Sequence, residues 1–143
     1  VSSNYAALAC TDFPTCNGAW KPTMDFGPAF HLTRELGMAA DGGLLSRESL
    51  VAIHWVHRVG ALITFLVVIV VALMAIRRVP LRGVGSAILL LLIVQVALGI
   101  SNVLLSLPLP VAVAHNAVAA LLLIALVVLN FRVGPARRGR SFA

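Results

Sequence analysis

Ile53-His54-Trp55-Val56-His57-Arg58-Val59-Gly60-Ala61 is the stretch on which the fold turns. It leads two histidines and an arginine into residues 59–76, 18 residues without a charge. As a helix that run is about 27 Å long, close to the thickness of a bilayer's apolar layer. An ionisable side chain at membrane depth is costly, so it reads first as a functional site. The device recurs in Val113-Ala114-His115-Asn116-Ala117-Val118-Ala119, which sets a histidine near the start of another apolar run.

The whole chain agrees with a membrane reading. Its 143 residues are 60% hydrophobic and 11% charged, with mean hydropathy +1.00, which places it outside the soluble globular range. The net charge of +6 is unevenly spread. All five acidic residues precede residue 50, and seven of the eleven basic ones are Arg77, Arg78, Arg82, Arg132, Arg137, Arg138 and Arg140. Arginines clustered in short loops mark a cytoplasmic side. They have no interleaved aromatics, so a nucleic-acid partner is excluded. The chain opens in mid-loop on Val1-Ser2-Ser3-Asn4-Tyr5 and reads as part of something longer.

Residues 1–45 are polar and punctuated by Gly and Pro, and read as an extracytoplasmic loop. Cys10 and Cys16 flank Pro14. On an oxidising face they read as a short-loop disulfide, with two free or redox-active thiols as the other reading. Residues 28–36 suit one short surface helix, with Gly37 at its end, and His31 in it reads as solvated. Ser46 is placed to cap a helix with Glu48 in its first turn. That helix runs to Ile76. Arg77-Arg78-Val79-Pro80-Leu81-Arg82-Gly83 is a basic turn, 84–107 a second span, and 106–110 a tight turn with Pro110 at the first helical position. A third span, 111–131, ends in a basic tail. Residues 46–143 thus form a three-span, all-α half-bundle whose first and third helices run parallel. No soluble catalytic domain, phosphate-cradling glycine loop or Ser/His/Asp set is present.

His57 and His115 both fall within about two turns of the same end of their spans. Either histidine alone reads as a polar residue bonded to a backbone carbonyl. Two at matched depth on parallel helices read as axial ligands of one heme iron, an arrangement suited to electron transfer. Gly60 and Ala61 lie one turn below His57, Ala119 one turn below His115 and Ala112 one turn above it. These small residues leave a slot for a flat ring. Zinc or copper is disfavoured, because no third ligand has a useful spacing. His54, one turn above His57, reads equally as a neighbour of the propionates or a headgroup-level residue. Arg58 reads as a propionate partner, or as snorkelling to lipid phosphate. Gln95, Asn102 and Asn116 read as interhelical glue, and Gly99 as a close-packing point.

These residues are familiar as a set. Cys-x5-Cys with Asn17-Gly18, Pro22-x-Met24-Asp25-Phe26, the 53–61 stretch, Gly99-Ile100-Ser101-Asn102 and Ala112-Val113-Ala114-His115-Asn116 together resemble the C-terminal half of the heme A synthase family. The resemblance covers nearly the whole chain. It implies half of an eight-helix, two-bundle membrane oxidoreductase that oxidises a methyl of heme O to the formyl of heme A for terminal oxidases. It also implies heme b held between His57 and His115, a disulfide between Cys10 and Cys16, and His54 as a second candidate ligand. The catalytic residues and the substrate heme belong to the N-terminal half, so this chain alone is expected to be inactive. The expected partners are membrane lipid, that other half in the same protein or in a partner chain, heme O, and a second copy of the chain. The expected location is the inner membrane, with 1–45 periplasmic and the C-terminus cytoplasmic. Two rivals remain: a membrane cytochrome b-type electron-transfer subunit, and a non-redox assembly subunit.

Overall fold

A computed structural model describes residue 6, residues 8–30 and residues 44–133. Four α-helices are present among them: α1 (Phe26–Ala29), α2 (Arg47–Ile76), α3 (Arg82–Leu104) and α4 (Leu109–Val133), with a 3-10 turn at Val79–Leu81 between α2 and α3. No strand forms among the described residues. The three long helices are each apolar enough to cross a membrane, as the sequence reading expects.

Local chemistry sets the boundaries. The Ser46 hydroxyl accepts from the Ser49 N–H at 3.2 Å, and Glu48 faces the positive end of α2. At the far end Arg78 N–H returns to the Ala75 carbonyl at 3.0 Å and closes the helix. Pro80 then sits at the start of the 3-10 turn, where its missing N–H has no partner to lose. α3 starts two residues before the expected 84 and stops at Leu104, short of the expected 107. The reason is a left-handed pair, Ser106 (φ 57°) and Leu107 (φ 60°), with Leu107 N–H bonded to the Asn102 carbonyl at 2.7 Å. α4 begins at Leu109 rather than 111, which makes Pro110 its second residue.

The expected helix over 28–36 is described only in part. α1 starts earlier, at Phe26, where the Asp25 carboxylate accepts from Gly27 N–H at 3.1 Å. His31 and the remainder of that helix lie outside the described residues.

Short turns make α3 antiparallel to both neighbours, so α2 and α4 run the same way. α3 packs on both of them, whereas α2 and α4 scarcely touch. The apolar core lies towards the 77–81 turn: Val68, Ala72 and Ala75 of α2, then Leu81, Ile88 and Leu92, and Leu122 and Leu129 of α4. Gly85 allows the closest approach there. A Cβ on it would stand 2.8 Å from Ile76 N and 3.0 Å from the Ala72 carbonyl. The opposite halves differ. From Trp55 to Val67 α2 has no buried residue, and neither has α4 from Leu109 to Leu121.

The polar loop covers the start of α2. Cys10 and Cys16 are joined in a disulfide, as expected, and both are buried beside Val51. Asn17-Gly18 turns the chain with φ 53° and 77°, a type I′ geometry that Asn-Gly favours. Cys16 and Ala19 exchange backbone hydrogen bonds across it at 2.9 and 3.1 Å. Further on, Ala6, Ala29, Ala52 and Ile53 form a second small cluster.

Candidate functional site

All four residues singled out on the helices lie near the loop end of the bundle, but they face different ways. His57 is exposed on α2. His54, one turn earlier, is 7% exposed. Its Nδ1 is met by Cys10 N–H at 3.4 Å and its Nε2 by Arg58 Nε–H at 3.3 Å. A neutral imidazole has one lone pair, so these donors share it between tautomers. His54 therefore ties α2 to the disulfide loop.

Arg58 does the same more strongly. Its Nη1 donates to the Thr15 carbonyl at 2.7 Å and its Nη2 to the Asp12 carbonyl at 2.8 Å. The guanidinium also lies over the Phe13 ring, 5.7 Å from its centroid. Neither propionate pairing nor lipid snorkelling anticipated this loop-clamping use. No sequence signal points to it, because the acceptors are backbone carbonyls more than 40 residues away. Trp55 adds a third tie, donating through Nε1 to the Trp20 carbonyl at 3.3 Å.

The loop itself is wound around Asp12. Its carboxylate accepts from the Thr15 hydroxyl, the Asn17 N–H and the Gly18 N–H, the last at 3.0 Å. The Thr15 hydroxyl, followed by the Gly18 N–H, holds the Asp12 carboxyl below its ordinary value of 3.8.

His115 is half-buried, and its ring is turned against α3. Its Nε2 lies 3.2 Å from Gln95 Nε2. A Cβ at Gly99 would stand 3.2 Å from its Cε1, so the missing side chain there is what seats the ring. His115 Nδ1 and Gln95 Oε1 are buried without a hydrogen-bond partner. Buried polar atoms left unpaired are uncommon and call for an explanation. Beside these rings the small residues leave room. Gly60, Ala61 and Ala119 are exposed, and a Cβ at Gly60 would meet nothing within 4 Å. Among the described residues no three His, Cys, Asp or Glu side chains converge on one point. A depression of about 260 Å³ lies under the loop, lined by polar residues including Lys21, Arg47 and Glu48 and by no imidazole.

Chemically, this arrangement offers two imidazoles near the loop end of two parallel helices, His57 exposed and His115 half-buried against α3 with an unpaired buried nitrogen, with exposed small residues one turn away. Comparisons with known proteins identify the family. Residues 1–127 match the family described as cytochrome oxidase assembly protein. The chain is 42% identical to the heme A synthase of Shewanella oneidensis over 92% of its own length and 40% of that protein's. It is 36% identical to the heme A synthase of Paracoccus denitrificans, over 81% of this chain and 28% of the relative. The heme A synthase of Methylobacterium radiotolerans is 29% identical over 99% of the chain and 35% of its own length. The chain thus spans well under half the length of the curated relatives it matches. No solved structure matches it.

Proposed function

We propose a function from one premise: this chain belongs to the cytochrome oxidase assembly protein family. Within it the chain is the heme-carrying part of a heme A synthase, an oxidoreductase that converts the methyl group of heme O to the formyl group of heme A. His57 and His115 are the residues that would hold heme b, which would supply single-electron transfer. The residues that act on heme O lie in the rest of the protein, and this chain without them is inactive.

The observation that carries the proposal is the unpacked gap between the parallel helices α2 and α4 at the loop end. His57 stands exposed on α2 and His115 half-buried on α4, both near that end. The residues fit the group. His115 has a buried nitrogen lacking a partner, Gly99 makes room for its ring, and Gly60, Ala61 and Ala119 leave room for a flat macrocycle. His57, rather than His54, is the ligand on α2, because the nitrogens of His54 are engaged by the loop and by Arg58. The loop, clamped by Arg58, covers the end of α2. The arginines at 77, 78 and 82 face the cytoplasm, and the loop faces the periplasm.

The full-length protein, purified in detergent, is expected to show the optical and EPR signature of a low-spin bis-histidine heme. His57→Ala and His115→Ala should each abolish it. Two variants that both keep the wild-type spectrum would remove the assignment. Hemes extracted from cells with and without the gene separate synthesis of heme A from plain electron transfer by a cytochrome b-type subunit. Purified protein without iron would favour a non-redox assembly role.

A further inference from the structure

Trp55 and His57 are two residues apart on α2, about 200° around the helix, so they look in nearly opposite directions. Trp55 heads a stripe of its own. Leu62, Leu66 and Leu73 follow it at helical spacing on one face, and all three are exposed. The stripe runs past the open part of α2 and on past Val68 and Ala72, which pack into the core. An apolar face left bare along the whole of a span is suited to lipid.

The loop is fastened at the head of this stripe. Trp55 Nε1 donates to the Trp20 carbonyl at 3.3 Å, and Arg58, on the next turn, holds the Asp12 and Thr15 carbonyls. The helix rise gives the level of these ties. A hydrocarbon layer of about 30 Å takes about 20 residues of helix. Counted back from Ile76, beside the arginine turn, that layer ends at His57. Trp55 and the chain tied to it therefore stand in the headgroup layer, about 5–7 Å deep on each side. At that level Trp20 is 75% exposed and Phe13 46%, and Lys21 is exposed beside Trp20. Tryptophan favours this layer, because its ring takes the acyl boundary while its N–H stays among polar groups. A lysine next to it reaches phosphate with its stem on apolar surface.

We infer that the disulfide loop is a membrane anchor, with Trp20 and Phe13 seated in the headgroup layer of the bilayer and Lys21 on lipid phosphate. The loop then links lipid to α2: its rings hold the bilayer, and Trp55 and Arg58 hold its backbone. This surface does not depend on which side of the membrane carries the loop, and it stands or falls apart from the heme reading.

The test uses full-length protein labelled with fluorotryptophan, in phosphatidylcholine nanodiscs. The Trp20 signal is the 19F NMR line missing from Trp20→Phe, or from Trp20→Tyr if the first variant fails to fold. Lipid with a nitroxide near the headgroup end of its chain should erase that line. Lipid with the nitroxide at the chain end should leave it, and a water-soluble gadolinium chelate should broaden it less than the first lipid does. A line erased by the chelate and spared by both lipids puts Trp20 in water and overturns the inference. A line spared by all three shows protein over the ring, from the rest of the polypeptide or a second copy, and overturns it too. A line erased most by the chain-end nitroxide puts the ring in hydrocarbon and overturns the assigned level.

Discussion

Arg58 binds partners that the sequence reading did not name. Its fork of donors suits oxygen acceptors. The acceptors are the carbonyls of Asp12 and Thr15. Arg58→Met keeps the apolar stem and removes the clamp. It should destabilise the docked loop by about 1–3 kcal/mol, seen as faster amide exchange at residues 8–20 with little change in α3. Asp12 offers a pH test. Its carboxylate gains three donors only in the folded loop, so its folded pKa lies below 3.8. That stabilisation is complete above the ordinary value and is lost as pH falls through the depressed one. Amide exchange at Asn17 and Gly18 should therefore accelerate below about pH 4, and Asp12→Asn should show the acid behaviour at neutral pH. Unchanged exchange across that range would show that the carboxylate does not organise the turn.

Among the elements, α3 bears the most constraint, because it packs on both neighbours. At Gly85 an added Cβ meets backbone at 2.8 Å and 3.0 Å, so α2 and α3 would have to separate. Gly85→Ala should cost about 1–3 kcal/mol, read as a lowered thermal midpoint, whereas Gly83→Ala, with open space around it, should be near neutral. The helices were legible from their long uncharged runs and from the Ser46 and Pro80 signals, which act locally. Their ends were less so. α3 stops at Leu104 because Ser106 and Leu107 adopt left-handed backbone, a conformation neither residue type advertises. The site shows the same division. His57, His115 and the small residues near them stand out as candidates from spacing along a helix. The use of His54 and Arg58 as loop ties could not, since it depends on tertiary contacts across more than 40 residues. Gln95 was legible only as a polar residue in need of a partner, because the sequence does not say that it faces His115.

At the scale of the whole molecule, tight packing and open space are separated along the bundle axis. The core is gathered near the 77–81 turn, and residues 55–67 of α2 and 109–121 of α4 bury nothing. Binding of a flat apolar ring in that gap should protect those stretches. Hydrogen exchange on addition of hemin is expected to slow in residues 55–67 and 109–121 and to stay unchanged in 68–76 and 122–133. Uniform slowing along all three helices would argue against a localised seat. α2 adds a mechanical consequence. Its 30 residues make a rod of about 45 Å, against about 30 Å of hydrocarbon. Roughly its first three turns therefore stand in water, wrapped by the loop, while the remainder is immersed in lipid. No proline interrupts it between Arg47 and Ile76. Any turn of the loop-wrapped stub about its axis would thus be carried along the shaft to His57.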